Sequence, residues 1–289
     1  MYQEYILPIL LLTAAGLVAG VMLMLAAKFM AVSKDEKYEL VRALLPGANC
    51  GACGFAGCDD YAAQLANGDV PANLCLPGGE RVTKRIARTL GKDAVDIVPM
   101  AATVGCSCGA TERNLKMHYR GRPSCVAANM FYKGNLACDH GCLGFGDCVK
   151  ACKFGAISIQ NGLAVVDKKR CTGCGKCALV CPHHVIYMRP HAGRIYVGCV
   201  NPKTGAQTRQ ECKYGCIGCH KCEKACPTGA IKLDGHLAWT FPELCIHCDA
   251  CVDVCPVGVI HNCYQPETPE TPEAAIIPEA PLRPETGAE

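Results

Sequence analysis

The sequence predicts an α+β protein carried on one membrane-spanning helix, and three observations lead there. Residues Ile6 to Ala27 run apolar with no ionisable side chain. Cysteines, 26 among 289 residues, recur at short fixed intervals through most of the remaining chain. Each of the last four cysteine runs is followed by a short apolar segment, as in GAISI, HVIYM, GAIKL and GVIHN, which reads as a small strand. The cysteine-bearing stretches between those strands have room for helices of one or two turns.

The apolar run, within an anchor expected at residues 1–30, is long enough to cross a bilayer once. A cleaved signal peptide needs a positive leading segment, and only Glu4 precedes the run. Lys28, Lys34 and Lys37 follow it, so the positive-inside rule leaves a short N-terminus outside and the bulk of the chain in the cytoplasm. A single-pass protein of the inner, cytoplasmic membrane is expected.

Cysteine density of this order also suits a disulfide framework, but disulfide partners need no common interval. Runs of the form C-x2-C-x2-C-x3-C-P place several thiolates on one loop, as [4Fe–4S] clusters require. Cys171, Cys174, Cys177 and Cys181 form one such run, Cys216, Cys219, Cys222 and Cys226 a second, and Cys245, Cys248, Cys251 and Cys255 a third. Zinc ribbons also use paired C-x2-C elements, but the fourth cysteine followed by proline is a ferredoxin habit. Cluster chemistry further implies a reducing compartment, in agreement with the charge pattern beside the span.

Residues 31–80 hold the first module, with Cys50, Cys53, Cys58 and Cys75 at intervals of x2, x4 and x16. All four come from one segment, so they are expected to bind one cluster without a partner motif; a four-cysteine zinc site fits that spacing equally well. Residues 81–136 read as a linker. Its ERVTKRIARTLG places Val82, Ile86 and Leu90 along one helical face, expected to pack on the module beside it.

An internal duplication is expected over roughly Ala137–Met188 and Tyr214–Asn262, within two-cluster ferredoxin-like domains at residues 137–190 and 191–263. In such domains the fourth cysteine of each motif ligates the other motif's cluster. The expected sets are Cys138, Cys142, Cys148 with Cys181; Cys152 with Cys171, Cys174, Cys177; Cys216, Cys219, Cys222 with Cys255; and Cys226 with Cys245, Cys248, Cys251. The run CDHGCLGFGDCVKACK departs from the others, with intervals of x3, x5 and x3 and Lys153 in place of proline. Gly141, Gly144 and Gly146 are expected to absorb the extra residues. Cys106, Cys108 and Cys125 with Cys199 or Cys212 form a candidate sixth set, with ordinary free thiols as the alternative; Cys263 reads as a spare. His220 and His247 fall at non-ligand positions. The tail at residues 264–289, rich in Pro and Glu, is expected to be disordered.

The formal net charge of +3 gives no case for nucleic acid. Neither G-x-G-x-x-G after a strand nor G-x-x-x-x-G-K-[ST] occurs. This chain is therefore expected to bind no flavin or NAD, and any hydride chemistry belongs to another subunit. A lone apolar span without a charged group offers no ion path either. Lys150, Lys153, Lys176, Lys221 and Lys224 are among the basic residues that could steer an acidic redox partner, a solvated surface being the plain alternative.

The order of one N-terminal span, NCGACGFAGC with a distant Cys75, then GCLGFGDCVKAC and repeated ferredoxin motifs, closely resembles the B subunit of the Rnf complex family, called Rsx in some bacteria, in its long form with four ferredoxin-type motifs. The resemblance covers about Tyr5 to Cys263. It implies an ion-translocating ferredoxin:NAD+ oxidoreductase, coupled to Na+ or H+ export, with flavin-bearing and membrane subunits as partners and ferredoxin as electron donor. This subunit would relay electrons through five [4Fe–4S] clusters, with a sixth as a candidate. The alternative in the same family is a membrane-tethered reductase of a redox-sensing transcription factor, and a zinc-stabilised scaffold is a third reading.

Overall fold

The computed structural model describes residues 2–29, 36–68, 70–93 and 96–263. The tail expected to be disordered lies outside the described residues. Helix α1, Tyr2–Phe29, contains the apolar run, and its Ile9–Ala26 window packs against no other part of the chain. Leu, Val and Met side chains left exposed over that length suit a hydrocarbon environment better than water.

Three helices build the first module: α2 (Glu36–Leu44), α3 (Cys58–Asn67) and α4 (Gly79–Leu90). Asp59 and Asp60 sit in the first turn of α3, where carboxylates complement the helix dipole. Gly68 ends that helix in the left-handed region at φ 89°, as a residue without Cβ does readily. The expected apolar face of α4 turns inward: Ile86 and Ala87 are buried and Val82 and Leu90 pack beside them, against Val41, Tyr61 and Leu65. Tyr61 donates its hydroxyl to the Pro71 carbonyl at 2.9 Å and accepts from the Leu74 amide at 3.3 Å, pinning the loop that leads to Cys75.

Two similar halves follow. The first contains β1 (Met100–Val104), α5 (Cys125–Asn129), α6 (Asp147–Ala151), β2 (Ile157–Gln160), β3 (Leu163–Val166), α7 (Lys176–Leu179) and β4 (Ile186–Pro190). The second contains β5 (Ile195–Val197), α8 (Gly205–Glu211), α9 (Lys221–Ala225), β6 (Ile231–Asp234), β7 (Leu237–Thr240), α10 (Ala250–Asp253) and β8 (Ile260–Asn262). In each half the first strand pairs antiparallel with the last, β1 with β4 and β5 with β8, while the middle strands form a hairpin. The β2–β3 hairpin turns at Asn161-Gly162, both at positive φ, the favoured chemistry for a two-residue turn.

The stretch expected to be a linker therefore supplies β1, and the first half begins near Met100 rather than Ala137. The duplication extends upstream with it. Val104 faces Ile186 and Val197 faces Ile260, and the next residue in each half, Gly105 or Gly198, donates its amide at 2.7 Å to Val185 or Val259. Small cores centred on Ile157, Val185 and Ile186, and on Ile231, Val259 and Ile260, interleave with cysteines. With so little apolar bulk, ligation is expected to supply much of the folding free energy.

Candidate metal centres

Four loops carry the cysteines of the two halves, and all four share one backbone plan. Counting from Cys142, Cys171, Cys216 or Cys245, the second and fourth residues onward have positive φ: Gly144 and Gly146, Gly173 and Gly175, Gly218 and His220, His247 and Asp249. Two left-handed residues fold the loop back over itself, so that side chains on both flanks face one centre. The sixth residue onward is then Cys148, Cys177, Cys222 or Cys251, each buried in the first turn of a short helix. His220 and His247 thus serve as turn residues.

The loops bring thiols together in fours. Cys216, Cys219, Cys222 and Cys255 line one cavity, and Cys226, Cys245, Cys248 and Cys251 line another. Burial raises the Cys177 thiol to about 11, aided by the nearby charges of Cys171, Cys174 and Cys152. In the first module burial likewise pushes Cys75 up to about 11, with Cys58, Cys50 and Cys53 as its thiol neighbours. These four groupings coincide with the expected sets.

The remaining expected set, Cys138, Cys142, Cys148 and Cys181, is not brought together. Cys125 lines the cavity with Cys142, Cys148 and Cys181, and Cys138 lies elsewhere. The register explains it. The third residue after the first cysteine is Cys174, Cys219 or Cys248 in three loops, but Phe145 in the loop of Cys142. Helix α5 fills the gap from outside the motif and is held at both ends. Ser124 caps it, accepting from the Ala127 amide at 3.3 Å. Asp147, at the start of α6, accepts from Ser124 Oγ at 2.8 Å and from the Val126 amide at 3.0 Å. His183, two residues past Cys181, bridges the Gly141 carbonyl at 2.6 Å and Asn129 Oδ1 at 3.1 Å. Counting back from the fourth cysteine, rather than forward from Cys138, would have revealed the substitution by Phe145.

Cys106, Cys108, Cys138, Cys199 and Cys212 line a further cavity between the halves. Cys263 stands apart, taking a hydrogen bond from Lys168 Nζ at 2.7 Å and donating to the Arg194 carbonyl at 2.9 Å.

The donor set fits iron–sulfur cubes. Burial first, then neighbouring thiols, push Cys148 to about 12, while burial outweighs every other influence in taking Cys222 and Cys251 to about 11. Thiols so placed do not ionise together without a cationic group to neutralise them. Among the described residues, no three His, Cys, Asp or Glu side chains gather tightly enough for a single metal ion. Thiols spread round a cavity suit the separated corners of a cube. Backbone amides approach several sulfurs: Ala102 donates to Cys171 and Ala156 to Cys152, both at 3.4 Å, and Ala230 to Cys226 at 3.2 Å. Such donors stabilise a ligating thiolate and tune cluster potential.

The first module adjoins the first half. Lys153 Nζ donates to the Ala48 carbonyl at 2.7 Å, and Cys50 is close enough to add to the raised pKa of Cys174. Lys153, where the other motifs have proline, thus acts as a tether.

Comparison with known proteins assigns iron–sulfur domains to these cysteine-bearing stretches. Residues 45–77 match the family model of a putative Fe-S cluster. Residues 137–185, 170–230 and 215–259 match that of a 4Fe-4S dicluster domain. The B subunit of the proton-translocating ferredoxin:NAD(+) oxidoreductase complex of Clostridium ljungdahlii is 40% identical over 242 residues, 83% of this chain and 85% of that protein. The B subunit of the ion-translocating oxidoreductase complex of Methanosarcina acetivorans is 39% identical over 82% of this chain and 90% of its own length. The B subunit of the Na(+)-translocating ferredoxin:NAD(+) oxidoreductase complex of Acetobacterium woodii is 37% identical over 73% of this chain, which spans 64% of that relative.

Proposed function

The chain belongs to the family of B subunits of ion-translocating oxidoreductase complexes, and from that premise we propose that it is the membrane-anchored electron relay of a ferredoxin:NAD+ oxidoreductase that moves Na+ or H+. Two tandem two-cluster units and the first module carry five [4Fe–4S] clusters. Their ligands are Cys50, Cys53, Cys58 and Cys75; Cys152, Cys171, Cys174 and Cys177; Cys125, Cys142, Cys148 and Cys181; Cys216, Cys219, Cys222 and Cys255; and Cys226, Cys245, Cys248 and Cys251. When bound, the clusters supply one-electron transfer. The chain's own residues fix their order, hold them apart from water and set their hydrogen bonding.

The observation that carries this reading is the contact of Lys153, in the first half, with the Ala48 carbonyl two residues before Cys50, which supports a first module in line with the paired units. Cys219 and Cys248 are solvent-exposed, whereas most other thiols of the halves are wholly or partly covered. Electrons from reduced ferredoxin enter at that exposed C-terminal end and leave through the first module toward flavin-bearing and membrane subunits. Helix α1 spans the inner membrane once and keeps the clusters on the cytoplasmic side.

The test is Cys50→Ala in the membrane-embedded assembly. Ferredoxin-dependent NAD+ reduction is expected to fall at least 100-fold, while ferredoxin still reduces the remaining clusters of the chain. Unchanged NAD+ reduction would exclude the first module as the exit.

A further inference from the structure

Resting on the reading that this chain binds iron–sulfur cubes, we propose that Cys106, Cys138, Cys199 and Cys212 hold a sixth [4Fe–4S] cluster at the junction of the two halves, with Cys108 outside the ligand set.

The duplication supplies the four thiols as two matched pairs. Val104 ends β1 and is followed by Gly105-Cys106, and Val197 ends β5 and is followed by Gly198-Cys199. Cys138 precedes Cys142 by the same x3 interval as Cys212 precedes Cys216. Each half thus contributes one cysteine just after its first strand and one just before its first cluster loop, and all four line one cavity. The two strand ends cross closely. A Cβ on Gly105 would meet Val200 Cγ1 at 2.5 Å, and one on Gly198 would strike Ser107 Oγ, so neither position takes a side chain unless its neighbour shifts. Val200 and Ser107 each lie two residues beyond the opposite glycine, repeating the symmetry.

Hydrogen-bond direction marks Cys106, Cys138 and Cys199 as acceptors and Cys108 as a donor, while Cys212 is placed by the cavity and by the duplication. A backbone amide only donates, so the sulfur it meets must accept; a carbonyl only accepts, so the sulfur it meets must carry a proton. The Cys142 amide donates to Cys106 Sγ at 3.4 Å, and the Asn201 amide to Cys199 Sγ at 3.4 Å. Asn201 Nδ2 lies 3.6 Å from Cys138 Sγ and, at 3.1 Å, donates to Glu211, which is paired with Lys203. Cys108 Sγ, by contrast, faces the Glu112 carbonyl at 3.4 Å. The duplication agrees: Cys108 stands two residues past Cys106 as Asn201 stands two past Cys199. Asparagine there does not ligate, and Cys108 occupies the same place.

The proposed centre also touches both neighbours. Cys106 accepts from the amide of Cys142, and Cys199 lies beside the amide of Cys216. Those residues belong to the sets of Cys125, Cys142, Cys148, Cys181 and of Cys216, Cys219, Cys222, Cys255. A cube at the junction therefore joins the two halves into one continuous series. Cys263, the remaining thiol, is held apart beside Lys168 and Arg194.

The test uses the full chain purified anaerobically, with iron and acid-labile sulfide counted and cluster types read by Mössbauer and electron paramagnetic resonance. The wild type is expected to hold about 24 irons, and a count of about 20 overturns the sixth cluster while leaving the relay reading intact. A protein without iron and sulfide would overturn the relay reading itself. Cys138→Ala and Cys212→Ala are each expected to lose roughly one to four irons, as a three-iron remnant or an emptied site, whereas Cys108→Ala loses none. Retained iron in both ligand variants, or loss in Cys108→Ala, overturns the assignment. Should a ligand variant fail to fold, the wild-type count decides, because five other clusters leave only the junction thiols and Cys263 for a sixth.

Discussion

Phe145 stands where three sister loops carry a cysteine, and the consequence falls on Asp147. Its carboxylate holds Ser124 and the Val126 amide, and so fixes Cys125 in the cavity that Phe145 leaves one cysteine short. Burial would raise the pKa of Asp147, but hydrogen bonds from Val126 and Ser124 outweigh it and hold the carboxyl below its ordinary value. A depressed folded-state pKa means the stabilisation is complete above the unfolded value near 3.9 and is lost as pH falls through the folded one. Asp147→Ala is thus expected to cost about 2 kcal/mol, with the same deficit across pH 6 to 8. Thermal loss of cluster absorbance would measure it; a deficit that changes strongly over that interval would point to another group. Gly144 has φ 79° and a hydrogen where a Cβ would strike the Gly162 carbonyl. Gly144→Ala combines left-handed strain with overpacking and is expected to cost about 3 kcal/mol, read from the denaturant midpoint.

Among the elements, α4 was the plainest in the sequence, since Val82, Ile86 and Leu90 repeat at helical spacing and the basic residues fall between them. Its partner was less plain: α2 and α3 contribute Val41, Tyr61 and Leu65 from both sides of the cysteine loop. Ile86 is fully buried there. Ile86→Ala is expected to remove about 2–5 kcal/mol and to release the first module's iron before that of the two halves. Time-resolved iron chelation would check this, and simultaneous loss from all sites would argue that the module has no separate core. Strand β1 was not legible, because MAATV lacks both alternation and the strong β-branched content that marks a strand. Its pairing with β4 comes from chain distant in sequence.

At the scale of the whole molecule, charge and exposure converge on the C-terminal half. Lys221 and Lys224 are exposed on α9 beside the exposed Cys219. Such a face accelerates encounter with an acidic partner in a salt-dependent way. Reversing both charges to glutamate is expected to lower the second-order rate of reduction by ferredoxin roughly tenfold at low ionic strength, with iron content unchanged. Stopped-flow kinetics across a salt series would test it, and an unaltered rate would place the entry face elsewhere.

By itself the sequence determined the apolar span, the first module's four cysteines and three of the four loop motifs, because those depend on intervals short enough to be fixed by local backbone geometry. It also determined the family, since the order of motifs is a linear property. Only the tertiary structure decided that Cys125, and not Cys138, lines the cavity of Cys142, Cys148 and Cys181, that a stretch read as linker supplies the strand β1, and that Cys106, Cys138, Cys199 and Cys212 line one cavity. Those thiols are separated by long and unequal stretches of chain. What brings them together is strand pairing between β1 and β4 and between β5 and β8, followed by the close crossing at Gly105 and Gly198, and neither leaves a fixed interval to read.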